Sequence, residues 1–278
     1  MYGSGKLLLS DPSTLQLWAD AHRIEMRLHY GRPDPIDFEL LLHQMPDSEF
    51  GNLTRSTIPS LAHWRDPATA IQAIVTALQI ISPMEGQLCF EYPVKSLPSN
   101  KPSFTDVMYI SPEVAVGFEA KSTEPRYPTV EDWLRQGGRS ANRSAVLAHW
   151  KTLIRKRTES IVDDELSTIP YQMIHRAASV CSVQARRHAL VYQLHIVDAK
   201  TDVDHYKSDL QQLSRAIAAP GYIDFLLQTI ALSRTPAYYE TERVIENTHP
   251  SQRPMVIREA LLRRQLFSVV QQHLEPIA

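Results

Sequence analysis

Residues 90–123 read FEYPVKSLPSNKPSFTDVMYISPEVAVGFEAKST, and this stretch predicts a β-hairpin at the centre of the fold. Segments 104–110 and 114–123 are rich in β-branched and aromatic residues, which favour strands. Ser111 and Pro112 lie between them and indicate a turn, because proline suits the first central position of a tight turn. We therefore expect two antiparallel strands joined at Ser111 and Pro112.

The register of this hairpin brings charged side chains together. A turn centred on residues 112 and 113 sets Asp106 opposite Glu119 and Phe104 opposite Lys121. Glu119 and Lys121 are two residues apart on one strand, so they project to the same face, which they share with Asp106. Two carboxylates and one ammonium then occupy a small area. The alternative is a surface hairpin that these charges merely stabilise.

Further elements are predicted on both sides of the hairpin. Asp66 and Pro67 begin a helix that ends before Ser82 and Pro83. The rest of this central part is predicted to contain a strand over 87–94, helices over 130–136, 140–157 and 171–187, and a strand over 188–197. The terminal parts are predicted to be helical, over residues 12–30, 36–43, 203–217, 222–233 and 255–274.

This order of elements predicts an α/β (mixed α+β) fold, with a central mixed sheet flanked by helices. We divide the chain into three parts. They are an N-terminal helical extension over 1–65, a core over 66–200 with a helical insertion over 124–170, and helices over 201–278 that pack on the core.

Composition sets the outer limits on function. The chain has 278 residues, 43% of them hydrophobic, which is enough for a full core. The net charge is -2, so a polyanionic partner would have to bind a local basic patch. Cys89 and Cys181 give neither a disulfide framework nor metal-ligand spacing. No apolar stretch approaches the roughly 20 residues of a membrane span. We expect a cytoplasmic protein that is neither secreted nor inserted in a membrane.

The insertion carries a local excess of positive charge. Between residues 126 and 157 there are eight basic and two acidic residues, a balance of +6. Five of the basic side chains are candidates for contacts with nucleic-acid phosphates: Arg135, Arg139, Arg143, Lys151 and Arg155. A solvated surface run is the alternative, and it has equal weight.

These features resemble the PD-(D/E)XK nuclease superfamily, which has the restriction-endonuclease-like fold. In that superfamily an aspartate lies on the second core strand and Glu-x-Lys on the third, which match Asp106 and Glu119-Ala120-Lys121. The resemblance covers about residues 66–200. It departs at Thr105, which stands where the superfamily is named for a proline.

A wider pattern is similar to uncharacterised restriction-endonuclease families of bacteria. It consists of Phe90-Glu91-Tyr92-Pro93, Ser103-Phe104-Thr105-Asp106, Glu119-Ala120-Lys121, and Trp133 with Asn142-Arg143. The terminal regions of the chain do not take part in this similarity.

The resemblance implies a metal-dependent phosphodiesterase site. Asp106 and Glu119 would bind Mg²⁺ or Mn²⁺ together with the backbone carbonyl of Ala120, because hard cations prefer oxygen ligands. Lys121 would orient the attacking water and stabilise charge in the transition state.

Residues outside the hairpin receive supporting roles. Glu91 is a candidate ligand for a second ion or an outer water, and the alternative is an exposed strand carboxylate. Gln172 resembles the glutamine that many members carry at the start of the helix after the Glu-x-Lys strand. His175 and Arg176 follow within reach of a strand end, although His175 is equally well explained as a helix-surface residue. Glu124 is a weaker candidate for the metal shell or for support of the insertion.

The function that the resemblance implies is a Mg²⁺-dependent endonuclease that cleaves DNA, in restriction, defence or a mobile element. RNA as the substrate stays open. Two other classes also stay open: a nuclease fold that binds nucleic acid or assembles without cleaving, and a purely structural interaction module. A homodimer is a reasonable expectation, because double-strand cutting by this fold commonly needs two active sites.

Overall fold

A seven-stranded mixed sheet forms the centre of the computed structural model, which describes residues 25–31, 34–80, 85–97, 101–136, 140–158, 160–197, 202–217 and 219–277. The strands lie side by side in chain order. They are β1 Glu25–Tyr30, β2 Glu85–Lys95, β3 Pro102–Ile110, β4 Val114–Lys121, β5 Arg187–Ile196, β6 Asp224–Arg234 and β7 Phe267–Ile277. The pairs β1–β2, β4–β5 and β5–β6 are parallel, and β2–β3, β3–β4 and β6–β7 are antiparallel.

Helices cover both faces of the sheet. They are α1 Phe38–Gln44, α2 Thr57–His63, α3 Pro67–Ala77, α4 Val130–Arg135, α5 Ser140–Ile154, α6 Asp163–Leu166, α7 Tyr171–Ser182, α8 Val203–Ala216, α9 Pro236–Glu246 and α10 Arg253–Arg263. Short 3-10 turns lie at Asp47–Phe50 and Pro250–Gln252. The expected mixed sheet flanked by helices is confirmed.

Each face of the sheet has its own hydrophobic core. Helices α1, α2, α3, α9 and α10 bury apolar side chains against one face, where Phe118 of β4 lies. Helices α4 to α8 do the same on the other face, where Ala115 of β4 lies. Strands β4 and β5 are therefore buried on both sides, as central strands in a parallel environment are.

The predicted hairpin is confirmed, and so is its register. Ile110 pairs with Ala115 and Val107 with Phe118, as a turn centred on residues 112 and 113 requires. The Ser111 hydroxyl accepts a hydrogen bond from the Val114 amide at 3.1 Å and closes the turn. The helix predicted after Asp66 is confirmed as α3, and the Asp66 carboxylate caps it by accepting the Thr69 amide.

One detail of the hairpin prediction is wrong. The ladder between β3 and β4 ends at Val107 and Phe118, so Phe104 does not pair with Lys121. Phe104 pairs with Pro93 of β2 instead and is exposed. The ladder ends there because the Asp106 carboxylate accepts the Ala120 amide proton in place of a backbone carbonyl.

Parts of three predicted helical segments are strands. Residues 25–30 form β1, and the earlier part of that predicted helix lies outside the described residues. Residues 224–234 form β6 instead of a helix over 222–233. The helix predicted over 255–274 ends at Arg263, and β7 begins at Phe267. Helix α9 was not predicted from the sequence.

The pattern of β6 explains one of these errors. The run Phe225-Leu226-Leu227 is continuously apolar because β6 is covered on both faces, and such a run fits a helix as well as a strand. As a result, residues assigned to helical extensions contribute β1, β6 and β7 to the same sheet as the predicted core.

Candidate active site

Three carboxylates occupy one row across three neighbouring strands. The ladder pairs on either side of Glu91 place it opposite Asp106 of β3. One step beyond the pair of Val107 and Phe118, Asp106 lies opposite Glu119 of β4. The row thus extends the predicted pair of Asp106 and Glu119 by Glu91.

The backbone at Glu91 is unusual. Its φ of 50° lies in the left-handed region, which a residue with a side chain rarely adopts. The alternation of β2 breaks here, because Cys89 and Val94 face the same core although they are five positions apart, an offset that would put them on opposite faces of a regular strand. Strain of this kind persists only where the surroundings hold it, and it is common at functional sites.

Glu119 is buried and fully engaged by hydrogen-bond donors. One carboxylate oxygen accepts from the Lys121 ammonium at 2.7 Å and from the Gln172 amide at 2.6 Å. The other oxygen accepts from the Arg176 guanidinium. Burial alone would raise the pKa of Glu119, but Arg176 and Lys121 outweigh it and hold the pKa below the ordinary value. Glu119 is therefore ionised.

Asp106 is held more loosely. One carboxylate oxygen accepts the Ala120 amide proton at 2.8 Å, and the other lies 3.4 Å from the Arg176 guanidinium. Burial and the negative charge of Glu119 raise the pKa of Asp106 to about 7, although Arg176 and Lys121 act in the opposite direction.

Glu91 is the least compensated of the three carboxylates. Its pKa is raised to about 8 by burial and by the charge of Asp106. Its side chain forms no hydrogen bond or ion pair within the described ranges. The predicted alternative of an exposed strand carboxylate is wrong, since Glu91 lies partly buried in the row.

Lys121 keeps its charge in this environment. Burial disfavours the ammonium, but Glu119 and Asp106 more than compensate and raise the pKa above its usual range. Lys121 and Glu119 lie on the same face of β4, as predicted, and form an ion pair.

Helix α7 delivers the remaining partners of Glu119. Gln172 and Arg176 are one helical turn apart, so both reach the same carboxylate. This requires a close approach of α7 to β4, which Gly117 provides. A Cβ atom on Gly117 would lie only 2.6 Å from a methyl group of Val180 on α7.

A cavity of about 250 Å³ opens beside the row of carboxylates. Its lining includes Glu91, Asp106, Lys121, Gln172, and Ser56 and Thr57 at the start of α2. Glu124 also lines it, but its carboxylate accepts the backbone amides of Ser56 and Ser122 at 2.9 and 2.7 Å. Glu124 therefore ties α2 to the end of β4.

The predicted phosphate-binding side chains have partners inside the protein. Arg135 pairs with Glu131, Lys151 and Arg155 lie 3.0 and 4.0 Å from Asp163, and Arg143 donates to the Trp133 carbonyl. Arg139 lies outside the described residues. None of the four described side chains lines the cavity. Their assignment to nucleic acid stays a prediction.

The insertion instead packs against the first residue of α7. The Trp133 ring stacks on Tyr171 with 3.6 Å between centroids, and the Trp150 indole donates to the Tyr171 hydroxyl at 2.9 Å. Tyr171 is the first residue of α7, immediately before Gln172. The insertion thus fixes the end of the helix that carries the partners of Glu119.

Arg176 was expected near a strand end, but no role for it was predicted from the sequence. The spacing of four from Gln172 was the available signal. His175 is buried rather than on the helix surface, and its ring lies 2.9 Å from the Ser103 hydroxyl. Burial and the charge of Arg176 hold the pKa of His175 well below its ordinary value, so the ring is neutral.

The sheet and this cluster define a mixed α/β protein with carboxylates and cations gathered beside one cavity. The chain belongs to the family described as a domain of unknown function (DUF6946), which matches residues 35–240. That range includes every residue of the carboxylate row and its partners. Comparison with curated proteins and with solved structures gave no match. Across the described ranges, no helix has the length and apolar character needed to cross a membrane.

Proposed function

We propose that this chain is a metal-dependent phosphodiesterase that hydrolyses nucleic acid, with DNA as the first substrate to test. The observation that carries the proposal is the row of Glu91, Asp106 and Glu119 with Lys121 beside it. The resemblance to PD-(D/E)XK nucleases implies such an arrangement, and we propose a restriction-endonuclease-like core on the basis of that resemblance. A role in restriction, defence or a mobile element rests on the resemblance alone.

The charge balance of the row supports a cation. Three carboxylates face two cationic side chains, Lys121 and Arg176. Burial and the neighbouring carboxylates raise the pKa values of Asp106 and Glu91, and a bound cation would favour their ionised forms. The oxygen donors suit Mg²⁺ or Mn²⁺. Among the described residues no three Asp, Glu, His or Cys side chains form a ready ligand set. We therefore assign the ion to Asp106 and Glu119 with the Ala120 carbonyl, and Glu91 to a supporting position.

When bound, such an ion would polarise a phosphoryl group and lower the pKa of a water molecule. The protein supplies the other parts of the reaction. Lys121 holds a fixed positive charge beside Asp106 and can stabilise negative charge on the reacting phosphate. Gln172 and Arg176 orient the Glu119 carboxylate from α7.

The proposal is tested by cleavage assays on labelled DNA and RNA with Mg²⁺, with Mn²⁺ and with EDTA. We expect cleavage only with the metal, and a loss of at least about 100-fold in Asp106→Asn and in Lys121→Met. Glu113→Gln is the control, because Glu113 lies at the opposite end of the same hairpin and is paired with exposed Arg186. Undiminished cleavage by folded Asp106→Asn protein would overturn the assignment.

A second candidate is a nuclease fold that binds nucleic acid without cleaving it. One observation favours it: Arg176 occupies one oxygen of Glu119, and Lys121 and Gln172 occupy the other. Thermal unfolding with Mn²⁺ separates the two. A rise in the melting temperature that disappears in Asp106→Asn supports the metal site, whereas no rise at millimolar Mn²⁺ favours the non-cleaving protein. The homodimer stays a prediction that light scattering can test.

A further inference from the structure

The hairpin of β2 and β3 continues past the carboxylates as an arm. We define the arm as residues 92–97 and 101–105, whose ladder runs from the pair Tyr92 and Thr105 to the pair Lys95 and Pro102. One face of the arm is buried, with Val94 and Thr105 directed towards the protein. The arm therefore has a fixed orientation relative to the cavity.

The other face of the arm is exposed. It presents Pro93 and its ladder partner Phe104, whose side chain is 40% exposed, together with the exposed Lys95. Leu97 and Lys101 are exposed where the arm ends. Single exposed apolar residues are ordinary on proteins. Here an aromatic ring, a proline and Lys95 share one strip beside the proposed phosphodiesterase site.

The strip is close to the row of carboxylates. Phe104 and Asp106 are two residues apart on β3, which is about 7 Å in an extended strand. Pro93 is equally close to Glu91 along β2. A polynucleotide with a phosphate in the cavity would place a neighbouring base near Phe104 and the next phosphate near Lys95.

Resting on the proposed function, we propose that the arm binds a single-stranded segment of the substrate, with an unpaired base stacked on Phe104. Aromatic rings stack on bases whose faces are free, and lysines track the phosphate backbone. In a duplex the faces of a base are already occupied by its neighbours. The chemistry of the arm therefore selects single strands over duplexes.

Binding is measured in EDTA with fluorescent oligothymidylate and with a duplex of equal length. We expect Phe104→Ala to weaken single-strand binding about tenfold or more, the effect of losing one stacked base, and Phe104→Trp to restore it. Val269→Ala is the control, because Val269 is a similarly exposed apolar strand residue on β7. Wild-type affinity in Phe104→Ala, or equal effects on duplex binding, would overturn the inference.

Cleavage assays with the same proteins separate this inference from the proposed function. If the wild-type protein cleaves and Phe104→Ala shows the same KM for single strands, the arm does not bind the substrate, whereas the proposed phosphodiesterase activity is supported. If the wild-type protein binds single strands through Phe104 but does not cleave them, the proposed phosphodiesterase activity is overturned and the proposed binding by the arm is supported.

Discussion

Arg176 is the residue on which the charge balance of the site depends most. Its guanidinium contacts Glu119 and lies 3.4 Å from Asp106, and all three belong to different elements. Burial opposes its charge, but the two carboxylates keep the guanidinium ionised. A neutral side chain at this position would leave two buried or half-buried carboxylates with Lys121 alone.

Arg176→Met is therefore expected to lower the free energy of unfolding by about 3–5 kcal/mol, because removing one partner of a buried ion pair leaves the other uncompensated. Urea denaturation measures the change. The control is Arg186→Met, since Arg186 pairs with Glu113 at 3.2 Å on the surface and should cost about 1 kcal/mol or less. Equal losses in both variants would contradict this account of Arg176.

His63 predicts a dependence of stability on pH. Burial lowers its pKa to about 4 although Asp66 acts in the opposite direction, and the His195 ring lies 6.0 Å away between centroids. The unfolded chain, with an ordinary pKa near 6.5, binds a proton that folded His63 does not. The contribution of neutral His63 to the free energy of unfolding is therefore fully present above pH 6.5, and it is lost as the pH falls from 6.5 through about 4.

Asp106 and Glu91 act in the opposite direction, because their raised pKa values favour the folded state on acidification. The test is the difference between wild type and His63→Gln in urea denaturation at several pH values. The stability of the wild type relative to the variant should fall by up to about 3 kcal/mol between pH 6.5 and 4. A constant difference would show that His63 titrates normally.

At the residue scale, the sequence was sufficient to predict that Asp106, Glu119 and Lys121 lie close together, because a strand register relates residues that are close along the chain. Glu91 was identified, but its left-handed backbone was not, since nothing in Phe90-Glu91-Tyr92 marks such a conformation. The role of Arg176 depends on how α7 lies across β4, which is a tertiary fact.

At the scale of elements, the contact between α7 and β4 depends on Gly117. Gly117→Ala is expected to destabilise the protein by about 1–3 kcal/mol, because the new methyl group would overlap Val180 and push α7 outwards. Adding Val180→Ala should recover part of the loss by making room. Gly51→Ala is the control, since its nearest neighbour would lie at an ordinary 3.7 Å. Urea denaturation compares the four proteins, and a double variant no better than Gly117→Ala would refute the steric explanation.

Helices and strands were predicted best where the hydrophobic pattern was clear and where capping or turn residues marked their ends. The Asp66 cap and the Ser111-Pro112 turn fixed α3 and the hairpin. The segment that forms β6 lacks such marks, and its continuous burial removes the alternation that identifies a strand. Periodicity cannot distinguish a helix from a strand that is covered on both faces.

At the scale of the whole molecule, the sheet extends beyond the range that the family matches. Helix α10 and strand β7 lie after residue 240, yet β7 pairs along β6 from Arg234 to Phe225. The side chain of Ile257 in α10 is completely buried in the same core as Phe118. The C-terminal residues thus share the sheet and the core of the rest of the chain.

Ile257→Ala is expected to cost about 2–5 kcal/mol and to leave a single unfolding transition. Tryptophan fluorescence and far-UV circular dichroism in urea should give the same midpoint. Met255→Ala, two residues earlier and 66% exposed, should have little effect. Two separate transitions in the Ile257 variant would instead identify the C-terminal part as an independent unit.

The order of the strands also affects how the protein emerges from the ribosome. Strands β2, β3 and β4 follow one another within residues 85–121, so all three carboxylates are synthesised together. Arg176 is added only after the whole insertion 124–170. A nascent chain that has not yet reached α7 contains the three carboxylates without the Arg176 guanidinium. Close approach of these carboxylates is then opposed by their mutual repulsion. We therefore expect the carboxylate end of these strands to close only once α7 has been synthesised, before β5, β6 and β7 complete the sheet.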